Sequence, residues 1–454
     1  MQIQVSLIVE ISATATVAEM EQQIQTAGQQ SMRQAMQQSI RAWEEQHRRC
    51  PQCDKNQVRL EGTVRRHLQT LFGPVGLAMR RFRCQDCWHR YCPARNLLAP
   101  LQQGTVTQPL QEAAVLAGAS WPYRQAAQVL HRLCGASISG EQVRLLTNRT
   151  GTTHAKLQQE AARQAVSAPQ VVCTMTQSAQ DRGVIGLDGG WVASREQRGG
   201  MEGKVGVIAM QKELLPSRPV PKLSEVTWYE IAKRARKGWR LTPAPARARF
   251  KQRKYVATFA PSRQIGEQAA CAADQLGIDR QMAVVVADGA DWIKQEAQRH
   301  FPQATKILDW PHLWRIVSKA LRSMSTATNQ SDRWRDQQSE QLRSWLWNGH
   351  VEPAHERLTS WLAEAGPTAG KAIRQALTYL TNQRAWIGSY EHWKQQGYPV
   401  GSGIIERAVA IVINRRMKKR GMRWKRTNAT AVVALRVDLL NEDWSLSPSA
   451  RSFP

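Results

Sequence analysis

The sequence predicts a multidomain chain that combines α+β and α/β parts. Three observations carry that expectation. Four of the eight cysteines fall in two tight pairs, "CPQC" (Cys50, Cys53) and "CQDC" (Cys84, Cys87), with short β-like runs between them. Residues 105–166 are helical in pattern throughout. From Gly183 the pattern turns to strands and then alternates helix with strand. A length of 454 residues suits such a division, because single cores stop growing at about 250–300 residues.

Residues 1–48 hold eleven glutamines and read as a polar helical arm, or half of an oligomer contact, since no strong apolar stripe runs along them. Residues 49–100 form a β module in which each cysteine pair sits on its own tight turn. The runs "VRLEGTVRRHLQTLFG" and "VGLAMRRFRC" make a hairpin between them. Four soft thiolates suit a closed tetrahedral Zn²⁺ site, and in a protein expected to be non-secreted the spacing favours metal over disulfides. His89 and Cys92 are alternative ligands; Cys92, Cys134, Cys173 and Cys271 otherwise read as core residues. In residues 105–166, helices around the turn "CGASISGEQ" fit a helix-turn-helix with Glu141–Arg149 as its recognition helix, or an ordinary hairpin bracing the next domain. A linker at 167–181 follows.

Residues 182–325 open with three strands, "GVIGLDGGWVAS", "KVGVIAMQ" and "RKYVATFA". A helix, the strand "MAVVVA", a helix, the strand "ATKILDW" and a helix complete the run. That order is the order of an RNase H-like domain. A basic segment at 216–252 interrupts it. A helical insertion at 326–398 carries Trp334, Trp345, Trp347, Trp361, Trp386 and Trp393. Residues 399–445 supply a final helix and a basic segment, and 446–454 read as a disordered tail.

The chain carries 63 Lys+Arg against 36 Asp+Glu, a formal charge of +27. Such an excess points to a polyanionic partner, nucleic acid first. No apolar run approaches the roughly 18 residues of a membrane span, and "MQIQVSLIVE" lacks a basic stretch ahead of its apolar part. A soluble intracellular protein without a membrane partner is expected.

Three acids stand out in so basic a chain. Asp188 interrupts the first strand, Asp288 ends the fourth, and Glu406 follows the N-cap candidate Ser402 with Ala410 and Ile413 on its face. In an RNase H-like order the first and fourth strands are neighbours and the last helix crosses them, so the three could meet at one edge. Two unit charges about 4 Å apart repel by about 4 kcal/mol at an effective dielectric near 20. Two Mg²⁺ or Mn²⁺ ions relieve that repulsion, and such a pair can stabilise both oxygens of a phosphoryl displacement. Each acid also has a plain reading, as a turn Asp-Gly or a solvated Glu.

Around Glu406, Arg407, Arg415, Arg416, Lys418, Lys419, Arg420, Arg423 and Lys425 make a basic face able to grip phosphates. Trp424 either stacks on an unpaired base or lies buried. Asp309 and His312, in "LDWPHLW", either serve the site or brace the strand end.

Taken in order, "CPQC…CQDC", "GLDGG", "VVADGADWI", "HFPQATKILDWPHLW", "GSGIIERA" and "RRMKKRGMRW" resemble bacterial insertion-sequence transposases of the DDE type, above all the IS-Kra group with its N-terminal zinc-binding region. The resemblance spans residues 45–445. It implies an RNase H-like catalytic domain, a metal-binding triad of Asp188, Asp288 and Glu406, and a helical insertion before the Glu. Asp309 and His312 match an acid-x-x-His element after the fifth strand. The implied activity is DNA transposition: binding of terminal inverted repeats, then strand cleavage and strand transfer into target DNA by a homodimer or larger assembly. The alternatives are an RNase H-like nuclease of the junction-resolvase type and a non-catalytic DNA-binding protein derived from a transposase.

Overall fold

The computed structural model describes residues 2–101, 104–167, 182–215 and 247–446, and the chain divides into two compact units, 1–151 and 152–454, with the boundary inside one helix. The expected linker after Ser167, Cys173, the basic stretch 216–246 and the tail from 447 lie outside the described residues. The chain is a mixed α/β protein in which helix predominates. Among the described residues no helix is long and apolar enough to cross a membrane.

The first unit begins with α1 (Val17–Gln46), started by a capping box in which Thr16 and Glu19 satisfy each other's backbone N–H groups. This helix is less an arm than a brace. Its Arg33 donates to the Phe72 carbonyl at 2.9 Å, and Gln37 to that of Gly76 at 2.7 Å. Glu44, fully buried, accepts from the Arg80 backbone N–H at 2.8 Å and side chain at 3.1 Å. Its partner is the hairpin of β1 (Val58–Thr70) and β2 (Gly73–Cys84), with the short β3 (Arg90–Tyr91) beside β2. Leu68, Val75, Leu77 and Met79 alternate inward and meet Ile40 of the helix.

After α2 (Pro93–Leu97) come α3 (Gln108–Ser120) and α4 (Tyr123–Cys134), which ends on Gly135 in the left-handed region (φ 73°). The expected third helix is one continuous α5 (Gly140–Ser167), longer than a recognition helix of nine residues.

The second unit is built on a five-stranded mixed sheet in the order β6-β5-β4-β7-β8. Its strands are β4 (Arg182–Val192), β5 (Met201–Leu215), β6 (Arg247–Thr258), β7 (Val284–Ala287) and β8 (Thr305–Leu308). The first three pair antiparallel, and β7 and β8 join parallel. The third strand, expected to start at Arg253, reaches back to Arg247.

One face of the sheet, with Ile185, Leu187 and Ile208, packs on α6 (Ser262–Gln275), α7 (Asp291–His300) and α8 (Trp310–Ala327). The insertion continues this side as α9 (Asp332–Trp347), α10 (Val351–Glu364), α11 (Pro367–Gln383) and α12 (Tyr390–Gln395). Its tryptophans lie in the core (Trp361, Trp386) or pack against it: Trp347 meets Trp310 edge-on at 4.8 Å, and Trp361 lies 5.6 Å from Trp334.

The other face, with Val192, Val205 and Val207, is covered by α13 (Gly403–Val409), a π-helical turn at Ala410–Asn414, a last helical turn at Arg415–Met417, and α14 (Arg426–Leu440). The half-buried Arg436 of α14 donates to the Ile411 carbonyl and, at 2.7 Å, to that of Val412, two groups the π turn presents. Burial, then the like charges of Arg416 and Arg415, pulls its pKa down to about 10.

Candidate metal and carboxylate sites

The two cysteine knuckles share one backbone device. Each pair is followed by a residue in the left-handed region, Asp54 (φ 55°) after Cys53 and Trp88 (φ 59°) after Cys87. That conformation turns the chain back at once, so both sulfurs of a pair point to one side. Cys50 and Cys87 stand 3.6 Å apart, as do Cys53 and Cys84, and all four sulfurs lie within 4.8 Å of one another. A tetrahedral ion with bonds of about 2.3 Å needs sulfurs roughly 3.8 Å apart, so the four thiols could hold one Zn²⁺. The thiols influence one another: the backbone N–H of Cys87 leads in pulling Cys84 down, while Cys53 and Cys87 are pushed up, so without a cation the four do not all ionise together. A salt bridge of 3.0 Å between Lys55 and Asp86 ties one knuckle to the other. His89 and Cys92, the alternative ligands, stand outside this group: His89 stacks near Tyr91, and Cys92 joins the core beside Leu98.

Asp188 and Asp288 lie at the same end of two neighbouring strands. Strand β4 pairs with β7 through Val184–Val284, Ile185–Val285 and Gly186–Val286, so Asp188 and Asp288 each lie two residues beyond the last pair. Alternation puts Asp188 on the same face as Gly186 and Gly190. Those glycines let the helical segment come close. A Cβ on Gly186 would stand 3.1 Å from the Ile405 Cβ, and one on Gly190 would stand 3.0 Å from Val409 and Ile413. Residue Ile405 directly precedes Glu406, so the approach brings that helix onto the face that carries Asp188. Burial foremost, and then the charges of Asp288, Glu406 and Asp309, push the Asp188 carboxyl up to about 6, against the pull of the Gly189 N–H at 2.6 Å.

Two details differ from expectation. Glu406 is exposed, whereas Ile413, expected on its face, is buried. The π turn between them adds a residue to that turn and shifts the helical phase. Among the described residues the four cysteines form a group whose ligand atoms all lie within 4.8 Å, and the carboxylates stand farther apart than that.

Asp309 is 2% exposed and both its oxygens are taken by backbone: Oδ2 accepts from the His312 N–H at 3.1 Å, capping α8, and Oδ1 from the Ser402 N–H at 2.8 Å. Burial raises its carboxyl, opposed by those N–H donors. Its role here is to join the start of α8 to the residue where α13 begins, four positions before Glu406. His312 is half-buried, its ring 5.8 Å from that of Tyr379.

Of the basic residues after Glu406, Arg407, Arg415, Lys418, Lys419, Arg420, Arg423 and Lys425 are exposed. Arg416 and Trp424 are not. Arg416 is 1% exposed with its guanidinium 5.1 Å from the Trp424 ring, and Trp424 is 6% exposed and donates to the Met417 carbonyl at 3.1 Å. The loop turns inward there because Trp424 pairs with the backbone at Ala193 and Arg195, beside the end of β4. Both residues are core, so neither is available to a phosphate or a base.

Sequence reasoning missed two side chains of the insertion. Tyr379 donates its hydroxyl to the Asp288 carbonyl at 2.7 Å, and Gln383 donates to the Gly289 carbonyl at 2.8 Å. They are a helical turn apart on α11, and nothing local in "ALTYLTNQR" signals a partner some ninety residues earlier. No protein-family model matches the chain, and no curated protein matches it.

Proposed function

We propose that the chain is a DNA transposase of the DDE type with an RNase H-like catalytic domain. The observation that carries this reading is the approach of three elements that bear acids: Asp188 within β4 beside Asp288 at the end of β7, with Ile405, next to Glu406, packed on the face of β4 that carries Asp188. The strand order, with three antiparallel strands and two parallel additions, supports the RNase H-like assignment. The charge of +27 and the exposed cations that follow Glu406 support a nucleic-acid substrate.

Oxygen donors of this kind fit hard divalent cations, and a raised Asp188 pKa is what a site awaiting positive charge displays. Asp188, Asp288 and Glu406 would hold two Mg²⁺ or Mn²⁺ ions, which supply Lewis acidity to the attacking and leaving oxygens. Asp309 and Ser402 orient the start of the helix bearing Glu406. The exposed Arg and Lys residues at 407, 415, 418–420, 423 and 425 bind the phosphate backbone beside the scissile bond. The cysteine module, holding Zn²⁺, and the helices of residues 105–166 take the terminal inverted repeats. Two transposon ends call for a homodimer or larger assembly on double-stranded DNA, and the cell compartment is the bacterial cytoplasm, at the nucleoid.

The test is excision from a plasmid that carries the gene in its native flanking DNA, wild type beside Glu406→Gln. Excised or circular product from the wild type alone supports the reading. Equal product from both removes Glu406 from the chemistry.

A further inference from the structure

We infer that the helical insertion positions the second metal-binding acid: Tyr379 and Gln383 of α11 clamp the backbone of Asp288 and Gly289 and so set where the Asp288 carboxylate points. The inference rests on the assignment of Asp288 as a metal ligand.

The geometry has four parts. First, β7 ends at Ala287, so Asp288 and Gly289 lie outside the sheet ladder and their carbonyls have no strand partner. Tyr379 and Gln383 supply partners to the two consecutive carbonyls, at 2.7 and 2.8 Å. Second, the fit is close. Gly289 has φ +83°, and a Cβ there would meet the Gln383 Oε1 at 2.3 Å. Third, both donors are themselves held. Gln383 is 5% exposed. Tyr379 packs against His312, the ring centroids 5.8 Å apart. Fourth, the Asp288 carboxylate is tied on its other side, where Oδ1 accepts from the Ala290 N–H at 3.0 Å as the chain enters α7. A peptide plane fixed at its carbonyl and a side chain fixed at one oxygen leave the other oxygen a narrow range of directions. Hydrogen-bonded partners of this kind around a ligand change metal affinity about 10- to 100-fold when removed.

Tyr379 and Gln383 touch no reacting atom in this arrangement. They are positioning residues, and their effect should appear in metal binding and not in fold stability. The experiment is a Mn²⁺ titration of zinc-loaded, full-length protein, followed by calorimetry and by the electron paramagnetic resonance of free Mn²⁺. Wild type is compared with Tyr379→Phe, Gln383→Leu and Asp288→Asn, with thermal midpoints measured alongside. Tyr379→Phe removes one oxygen and keeps the ring, so the packing against His312 survives. The expected result is Mn²⁺ binding that Asp288→Asn abolishes and that Tyr379→Phe and Gln383→Leu each weaken about tenfold, with the Tyr379→Phe midpoint unchanged. Excision should then fail in Tyr379→Phe at low Mn²⁺ and return at high Mn²⁺. Wild-type affinity in both clamp variants, with Asp288→Asn still defective, would overturn the clamp and leave the metal site standing. No Mn²⁺ binding that depends on Asp288 would overturn the metal-site assignment and the clamp together.

Discussion

Replacing Asp188 by Asn should make the metal-free protein more stable at neutral pH while abolishing its chemistry. In the folded chain the Asp188 carboxyl keeps its proton up to about pH 6, whereas the unfolded chain loses it near 3.8. Between those values the folded state binds more protons than the unfolded state, so this group's contribution declines as pH rises and the full cost stands above pH 6. A shift of that size corresponds to about 2–3 kcal/mol. Asn keeps the shape, can still accept the Gly189 N–H at 2.6 Å, and carries no charge to confront Asp288, Glu406 and Asp309. Urea unfolding of zinc-loaded protein without Mg²⁺, followed from pH 4 to pH 8, reads the effect. The variant should gain about 2–3 kcal/mol over the wild type at pH 8 and little at pH 4, where the folded wild type also carries a neutral group. Added Mg²⁺ should stabilise the wild type and not the variant. A variant equal to or less stable than the wild type at pH 8 would refute the argument that these acids are held together at a cost.

Two further outcomes are expected. Stripping zinc, or Cys84→Ser, should disorder the first unit around β1 to β3, because the core formed by Val58, Phe82 and the cysteines is small; one metal per chain by elemental analysis and a loss of β signal in circular dichroism on chelation are the measurements, and an unchanged spectrum without metal would contradict them. Trp424→Ala should cost about 3–5 kcal/mol of stability as a core truncation, while alanines at Lys418, Lys419 and Arg420 should leave stability alone and lower the slope of log affinity for duplex DNA against log salt by about 2–3. A Trp424→Ala protein of normal stability with impaired DNA binding would reverse that division.

Some of this site is legible in the chain because its cause is local. Each Cys-x-x-Cys pair is one turn, and the residue after it adopts the left-handed region whatever the rest of the fold does, so spacing alone names the four sulfurs. The order of strands and helices from residue 182 is likewise written in apolar runs of strand and helix period. Asp188 stands out as a charge within such a run and Asp288 as one at the end of another.

The remainder depends on which elements meet. The π turn after Glu406 has no signature in "AIVIN", and it reverses the exposure of Glu406 and Ile413 that a regular helix would give. Arg416 reads as surface because a run of cations is usually solvated, and Trp424 reads equally as base-stacking or buried; backbone pairing of Trp424 with Ala193 and Arg195 draws both inside. The Asp309 link to Ser402 and the hold of Tyr379 and Gln383 on the loop bearing Asp288 are hydrogen bonds between segments about ninety residues apart. The sequence by itself determined the cysteine cluster, the strand and helix order and the acids in and after the strands, since each arises within a few residues. Only the tertiary structure decided which charges face solvent and which groups hold the acids in place, since those follow from the register of β4 on β7 and the packing of distant helices.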